Sequence, residues 1–382
     1  MSALPARVGI NANFLEPHMG GLVTYVVELV PELVRLAPGT RFSVYCNPVG
    51  REYLATQGWG DEVELVTPAL LGRPGLRAAM ELTALGWIAG RQVDLLHSVA
   101  LTAPLWTRAV NVVTIADVTW ITQPDPTNAA THRLWRALVP PVARRADRVI
   151  VLSTFVADEV AEHLGIDRQL IDVIALGHGA GQDASPTPEE ELRRKLGLGD
   201  GQFLLAVAGK RTHKNLMRLI QAMPAIRERV PDVVLVLPGA PSAHEEQLKA
   251  EAGRLGLGRS VAFVDFLSAS DLEGLYAQAR ALVFPSLSEG FGLPVLEAMR
   301  RRVPVACASA SSLPEVAGDA ALLFDPYSVP AIADAAVAVM TDEALRARLV
   351  AAGLERQAGF TWARAAEGTL ESYERALAER RK

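Results

Sequence analysis

The chain has two cysteines in 382 residues, Cys46 and Cys307, far apart and without metal-like spacing. That excludes a disulfide framework or a zinc site as the organising principle and fits a reducing, cytoplasmic setting. No uninterrupted run of about 20 apolar residues occurs, and the start, MSALPARVGINANFL, lacks a charged stretch followed by a long apolar one. The expectation is a protein that neither spans a membrane nor is exported. There is no excess of positive charge either: 38 Lys and Arg stand against 43 Asp and Glu, a formal charge of −5, which argues against general nucleic-acid binding. Seven histidines are scattered, and no Asp-x-Asp element sits at a strand end, so nothing prepares a site for a metal-bound diphosphate. Low-complexity segments and short repeats are also missing.

What is present is length and apolar content. Half of the residues are hydrophobic, and a chain of this size exceeds one ordinary core, so two domains are expected. Short apolar runs (RVGINA, RFSVYC, VDLLHS, AVNVVTIA, RVIVLS) alternate with amphipathic segments over 20–36, 75–90, 129–145 and 154–164. This alternation predicts an α/β fold with a doubly wound parallel sheet. The Gly-, Ser- and Pro-rich stretch 177–202 interrupts the rhythm, after which FLLAVAG, DVVLVLPG, SVAFVDF, ALVFPS and VPVACA alternate with helices over 214–229, 243–255 and 269–279. The domains are therefore placed at 1–180 and 201–361, joined by a linker over 181–200. A final helix over 362–380 is expected to pack back on the first domain.

The stretch PSLSEGFGLPVLEAM, residues 285–299, carries the most chemistry. A strand, ALVFPS, leads through a Gly-rich turn into a helix with Pro294 near its first position, where a missing N–H costs nothing. Ligands of open α/β sheets bind at such carboxyl ends of strands. The free N–H groups and the helix dipole suit a phosphate, and Gly290 and Gly292 let it approach the backbone. Glu289 and Glu297 would not bind phosphate, but carboxylates accept hydrogen bonds from sugar hydroxyls. The competing reading, a first-turn Glu297 favouring the dipole and an exposed loop Glu289, stays open on pattern alone.

With the surrounding FPSLSEGFGLPVLEAM, however, the stretch closely resembles the signature of family 4 glycosyltransferases, also called group 1, whose two glutamates have seven residues between them, as do Glu289 and Glu297. The resemblance covers nearly the whole chain and is strongest over 206–326, with mannosyltransferase-like members foremost. It implies the GT-B fold, two Rossmann-like domains facing a central cleft, the first for an acceptor and the second for a nucleotide-sugar donor. It further implies that Glu289 contacts the donor sugar, that the backbone of Gly290, Phe291, Gly292 and Leu293 meets sugar and diphosphate, and that Glu297 holds the ribose hydroxyls.

AVAGKRTHKNL, residues 206–216, resembles the family's basic phosphate loop. Gly209, Lys210, Arg211 and Lys214 are assigned to the donor, Lys214 being the clearest match and Arg211 the next. Cations there would stabilise the charge growing on the leaving diphosphate. Gly20 and Gly21 resemble the N-terminal glycine loop, and Ser311 and Ser312 fall near the cleft edge. Two departures matter. Ala116 precedes Asp117 where relatives commonly carry His, and Asp265 stands where they usually have glycine, in a region associated with the nucleobase. A carboxylate at 265 can accept from paired N–H donors of guanine.

The expected activity is retaining, metal-independent and cofactor-free hexosyl transfer, mannose first, from a GDP-linked donor to a saccharide, lipid-linked saccharide or small-molecule hydroxyl. Arg211, Lys214, Glu289 and Asp117 form the catalytic set, with no nucleic-acid partner. Two alternatives remain: a nucleotide-sugar binding protein with weak or no catalysis because of Ala116, natural or introduced, and a sugar-nucleotide epimerase. The segment 131–148, with arginines beside Leu, Trp and Val, is a candidate for peripheral contact with the inner face of an anionic membrane, the competing reading being a packed helix with a charged outer face.

Overall fold

A computed structural model describes residues 4–16, 20–59, 62–68, 77–124, 129–178 and 184–380. Part of the expected linker, 181–183, lies outside these. The described chain forms two compact units: 4–124, 129–177 and 360–380 make the first, and 178 with 184–359 the second. No described helix is long and apolar enough to cross a membrane.

The first unit is built on β1 (Arg7–Asn11), β2 (Arg41–Tyr45), β3 (Val63–Val66), β4 (Leu95–Ser98), β5 (Val110–Ile115), β6 (Arg148–Val151) and β7 (Ile171–Val173). They form one sheet in the order β3-β2-β1-β4-β5-β6-β7, every pair parallel. Every residue of β4, β5 and β6 is buried, the pattern of a parallel sheet covered on both faces. This explains why these strands read as continuous apolar runs. The segment 75–90 departs from the single helix expected: among the described residues it is two short helices, Arg77–Leu82 and Ala84–Ala89. The Leu82 carbonyl accepts from Leu105 N–H at 2.9 Å instead of continuing the helix ladder.

The second unit holds β8 (Phe203–Leu205), β9 (Val234–Pro238), β10 (Val261–Val264), β11 (Ala281–Phe284), β12 (Val305–Ala308) and β13 (Leu322–Phe324). Their order is β10-β9-β8-β11-β12-β13, again all parallel. Within the region read as a linker, Glu189–Leu196 is a helix of the second unit, with three glutamates in its first turn and Arg193, Arg194 and Lys195 in its last, as the helix dipole favours.

The C-terminal helix, Trp362–Arg380, packs on the Gly21–Leu36 helix and on β5 and β6 of the first unit. Its docking is partly polar. Tyr373 Oη lies 2.8 Å from His97 Nδ1, and His97 Nε2 lies 2.7 Å from Thr114 Oγ1. Ser372 donates to Asp172 at 2.7 Å, and Asp172 is paired with the buried Arg148. Gly177 sits so close to the helix start that an added Cβ would lie 2.5 Å from Trp362 N.

Tyr373→Phe leaves a ring nitrogen of buried His97 without its partner, and is expected to cost about 1–3 kcal/mol of unfolding free energy in urea denaturation. Burial lowers the His97 pKa from 6.5 to about 3. Its stabilising contribution is thus present above about 6.5 and is lost as pH falls towards about 3. A His97→Gln variant should show a flatter loss of stability on that acid limb.

Candidate active site

β8 and β11 are neighbours in the second sheet, yet β8 is followed in the chain by β9 on one side and β11 by β12 on the other. Their carboxyl ends therefore diverge, which is the topological switch point where open α/β sheets bind ligands. The loops that leave them, 206–215 and 285–292, are the two singled out by sequence.

These loops are tied together. Asn215 adopts a left-handed conformation, φ 57°, which asparagine tolerates better than most residues. Its buried side-chain amide donates to the carbonyls of Pro285 at 3.0 Å and Pro326 at 2.8 Å. Leu287 N–H donates to the His213 carbonyl at 2.8 Å. Thus fixed, Lys214 Nζ meets both carboxylate oxygens of Glu289, at 2.7 and 2.9 Å. The two side chains are only 19% and 12% exposed, so the pair is shielded from much of the screening that weakens surface ion pairs.

The signature turn is held from behind by Ser311 and Ser312. Ser311 Oγ accepts from Glu289 N–H at 3.0 Å, and Ser312 Oγ lies 3.0 Å from the Glu289 carbonyl and 2.8 Å from that of Phe291. Gly292 has φ 116° and precedes the Leu293–Arg300 helix. A Cβ there would fall 2.7 Å from Leu313 Cδ2. Pro294 is in the first turn, and the orphan N–H groups of that end supply partial positive charge beside Glu289 and Lys214.

Glu297, one turn further on, is half-buried and accepts from Tyr276 Oη at 2.8 Å. Burial raises its carboxyl above the ordinary range, against the lowering effects of the Tyr276 hydrogen bond and nearby Arg301. Arg301 in turn bonds Glu273 and lies over the Tyr276 ring, 4.7 Å from its centroid. Among the described residues, the other Glu297 oxygen receives no side-chain hydrogen bond, which leaves acceptor capacity for hydroxyl donors.

The three cations of the basic loop have different environments. Arg211 is exposed, and its side chain makes no hydrogen bond or ion pair among the described residues. Lys214 is committed to Glu289. Lys210 corrects the expectation of direct donor contact: it is 0% exposed, and its ammonium bonds the carbonyls of Gly239 and Val264, with Glu245 Oε2 at 3.9 Å. It joins the carboxyl ends of β9 and β10 and is out of reach of a ligand. Gly209 precedes it, its carbonyl accepting from Arg211 N–H at 2.7 Å. Asp265 is exposed just after β10, beside Phe266, which is 58% exposed.

The remaining candidates belong to the first unit. Gly20, φ 58°, caps the Gly21–Leu36 helix; residues 17–19 of that loop lie outside the described ones. Ala116 and Asp117 follow β5. Asp117 Oδ1 accepts from Thr119 N–H at 2.9 Å and from its hydroxyl at 2.6 Å, so the carboxylate holds a turn. Sequence reasoning missed Asn215, Tyr276 and the bracing role of Ser311 and Ser312; only Asn215, adjacent to Lys214 at a helix start, carried a local signal. Among the described residues no group of three His, Cys, Asp or Glu is arranged to hold a metal ion.

The paired doubly wound units define the GT-B class. The chain is similar to a sucrose-phosphate synthase from Thermosynechococcus elongatus (TM-score 0.74, 20% identity, 97% of this chain and 99% of that one). It is also similar to Anabaena Alr3699/HepE, solved with UDP and glucose (TM-score 0.76, 19% identity, 96% and 98%). Residues 19–178 match Glycosyltransferase Family 4 and residues 188–356 match Glycosyl transferases group 1, and the chain belongs to this glycosyltransferase family. Among curated relatives, it is 38% identical over 241 residues to the serotype-specific mannosyltransferase WbdA of Escherichia coli, covering 61% of this chain and 29% of WbdA. It is 35% identical over 196 residues to O-antigen chain mannosyltransferase B of Escherichia coli, covering 50% of each. The chain thus spans less than a third of WbdA and half of the second relative.

Gly292→Ala should lower stability by about 1–3 kcal/mol, because a side chain is strained at this φ and Leu313 must shift. Thermal denaturation of the variant measures the cost.

Proposed function

We propose that the chain transfers a hexosyl group, mannose first, from a nucleoside-diphosphate sugar to a hydroxyl acceptor, with retention of configuration and without a metal ion. The observation that carries this reading is the Lys214–Glu289 pair at the β8/β11 switch point, beside the amino end of the Leu293–Arg300 helix. A diphosphate at that end would meet Lys214, exposed Arg211 and the free N–H groups. Glu289 would accept from sugar hydroxyls and Glu297 from those of the ribose, as Tyr276 holds its carboxylate in place. The positive charge a divalent ion would otherwise supply comes from these groups. GDP is the first choice of nucleotide, on the carboxylate of Asp265 at the carboxyl end of β10 and on the mannosyltransferase names of the relatives.

As the bond from the anomeric carbon to the diphosphate breaks, its electron pair leaves on phosphate oxygen, and the acceptor oxygen bonds the same carbon. The acceptor proton passes to the diphosphate and then to water. Ala116 offers only a methyl group where the family resemblance implies a histidine. The acceptor is a saccharide, free or lipid-linked, or a small molecule bound by the first unit. For a lipid-linked acceptor, exposed Arg133, Leu134 and Arg136 of the Ala129–Ala143 helix suit contact with the anionic inner face of the cytoplasmic membrane.

Calorimetric titration with GDP-mannose, UDP-glucose, UDP-N-acetylglucosamine and a dTDP-sugar, in chelator, should show binding to one nucleotide class, GDP-mannose first. Binding only on addition of a divalent ion would overturn metal independence. Lys214→Ala should retain its fold and lose roughly a hundredfold to a thousandfold in turnover; normal turnover would sink the assignment. Ala116→His should raise turnover, and no gain with unchanged tight donor binding would favour a binding protein.

The raised carboxyl of Glu297 adds a pH dependence. It binds its proton at higher pH than an ordinary glutamate, so carboxylate-dependent donor affinity falls earlier on acidification. The folded state holds the proton more tightly than the unfolded chain, so this group's stability contribution is full below the unfolded pKa and declines as pH rises through the folded one. Glu297→Gln should remove both trends in parallel titrations of binding and unfolding.

A further inference from the structure

We propose that Glu289 is also the product-release device of this site: it competes with the nucleoside diphosphate for Lys214 and so weakens the spent product more than the intact donor. The inference rests on the donor-site reading above. The geometry behind it is one contact: the cation assigned to the diphosphate makes two short contacts, at 2.7 and 2.9 Å, to the carboxylate assigned to the sugar. Two residues with opposite assignments therefore neutralise each other.

The consequence follows from charge. While the hexose is attached, Glu289 has hydroxyl donors to accept from, and in the transition state it lies near the positive charge growing on the sugar. Both favour keeping the carboxylate ionised beside the ligand. Once the hexose has left, the diphosphate has one ester substituent fewer and gains negative charge. Glu289 then has no sugar to hold, repels the product and recaptures Lys214. The shielding of the pair strengthens both effects. Arg211, exposed and without an ion-pair partner among the described residues, stays with the product and keeps it from being expelled before transfer is complete.

Glu289→Gln isolates this role. The amide is nearly isosteric, and the contacts that hold the turn use the Glu289 main chain, its N–H to Ser311 and its carbonyl to Ser312, so the loop keeps its support. Calorimetry would titrate the whole chain and its Glu289→Gln and Glu289→Gln/Lys214→Ala variants with GDP, UDP and dTDP, and with GDP-mannose and UDP-glucose in the absence of acceptor. The single variant is expected to bind the cognate free diphosphate roughly tenfold or more tightly than the parent, the size of effect measured for close charge pairs. The intact donor should bind no more tightly, turnover should fall, and product inhibition should deepen. In the double variant the tightening should vanish, because it is carried by the released Lys214. Binding of free diphosphate by Glu289→Gln no tighter than by the parent would overturn the proposal alone. Failure of the parent to bind any of these nucleotides would overturn the donor-site reading and this proposal with it.

Discussion

The buried amide of Asn215 is the contact on which the candidate site depends. A single side chain bonds carbonyls at Pro285 and Pro326, one from the signature loop and one beyond β13, and it does so from a left-handed backbone that also ends the basic loop and begins the following helix. Buried carbonyls left without donors would be costly, so the three segments are held in register by the need to satisfy them. Lys214 precedes Asn215 in sequence, and the position of its ammonium against Glu289 follows from that tie.

Lys210, Arg211 and Lys214 illustrate how little charge alone says about role. The first has lost its solvent and bonds carbonyls at the ends of β9 and β10, where burial lowers its pKa and Glu245 partly offsets the loss. The second remains in water, and the third is paired in a shielded contact. The differences arise from the direction in which the chain leaves β8. Only a cation that is hydrated or exchangeable can serve an incoming phosphate, while one that joins buried carbonyls keeps the surrounding loops in place.

Much of the fold was legible in the sequence because parallel strands buried on both faces are apolar throughout, so DVVLVLPG and ALVFPS stand out against amphipathic helices. The signature turn was equally legible, since glycine, proline and glutamate at fixed spacing report backbone shape and chemistry together. The break at Thr83 was not, because it is caused by a hydrogen bond from Leu105, distant in the chain. Nor was the burial of Lys210, whose acceptors are main-chain carbonyls without sequence identity. Tyr276 belongs to the same class: its hydroxyl is placed by the packing of a preceding helix beside Glu297.

The C-terminal helix has a consequence for how the molecule is made. Tyr373 and His97 are 276 residues apart, yet both belong to the first unit. During synthesis the second unit emerges in full before the helix that completes the first. At usual elongation rates the seat on β5 and β6 stands open for on the order of tens of seconds. The nascent first half must survive that interval with His97, Thr114 and Arg148 partly uncovered.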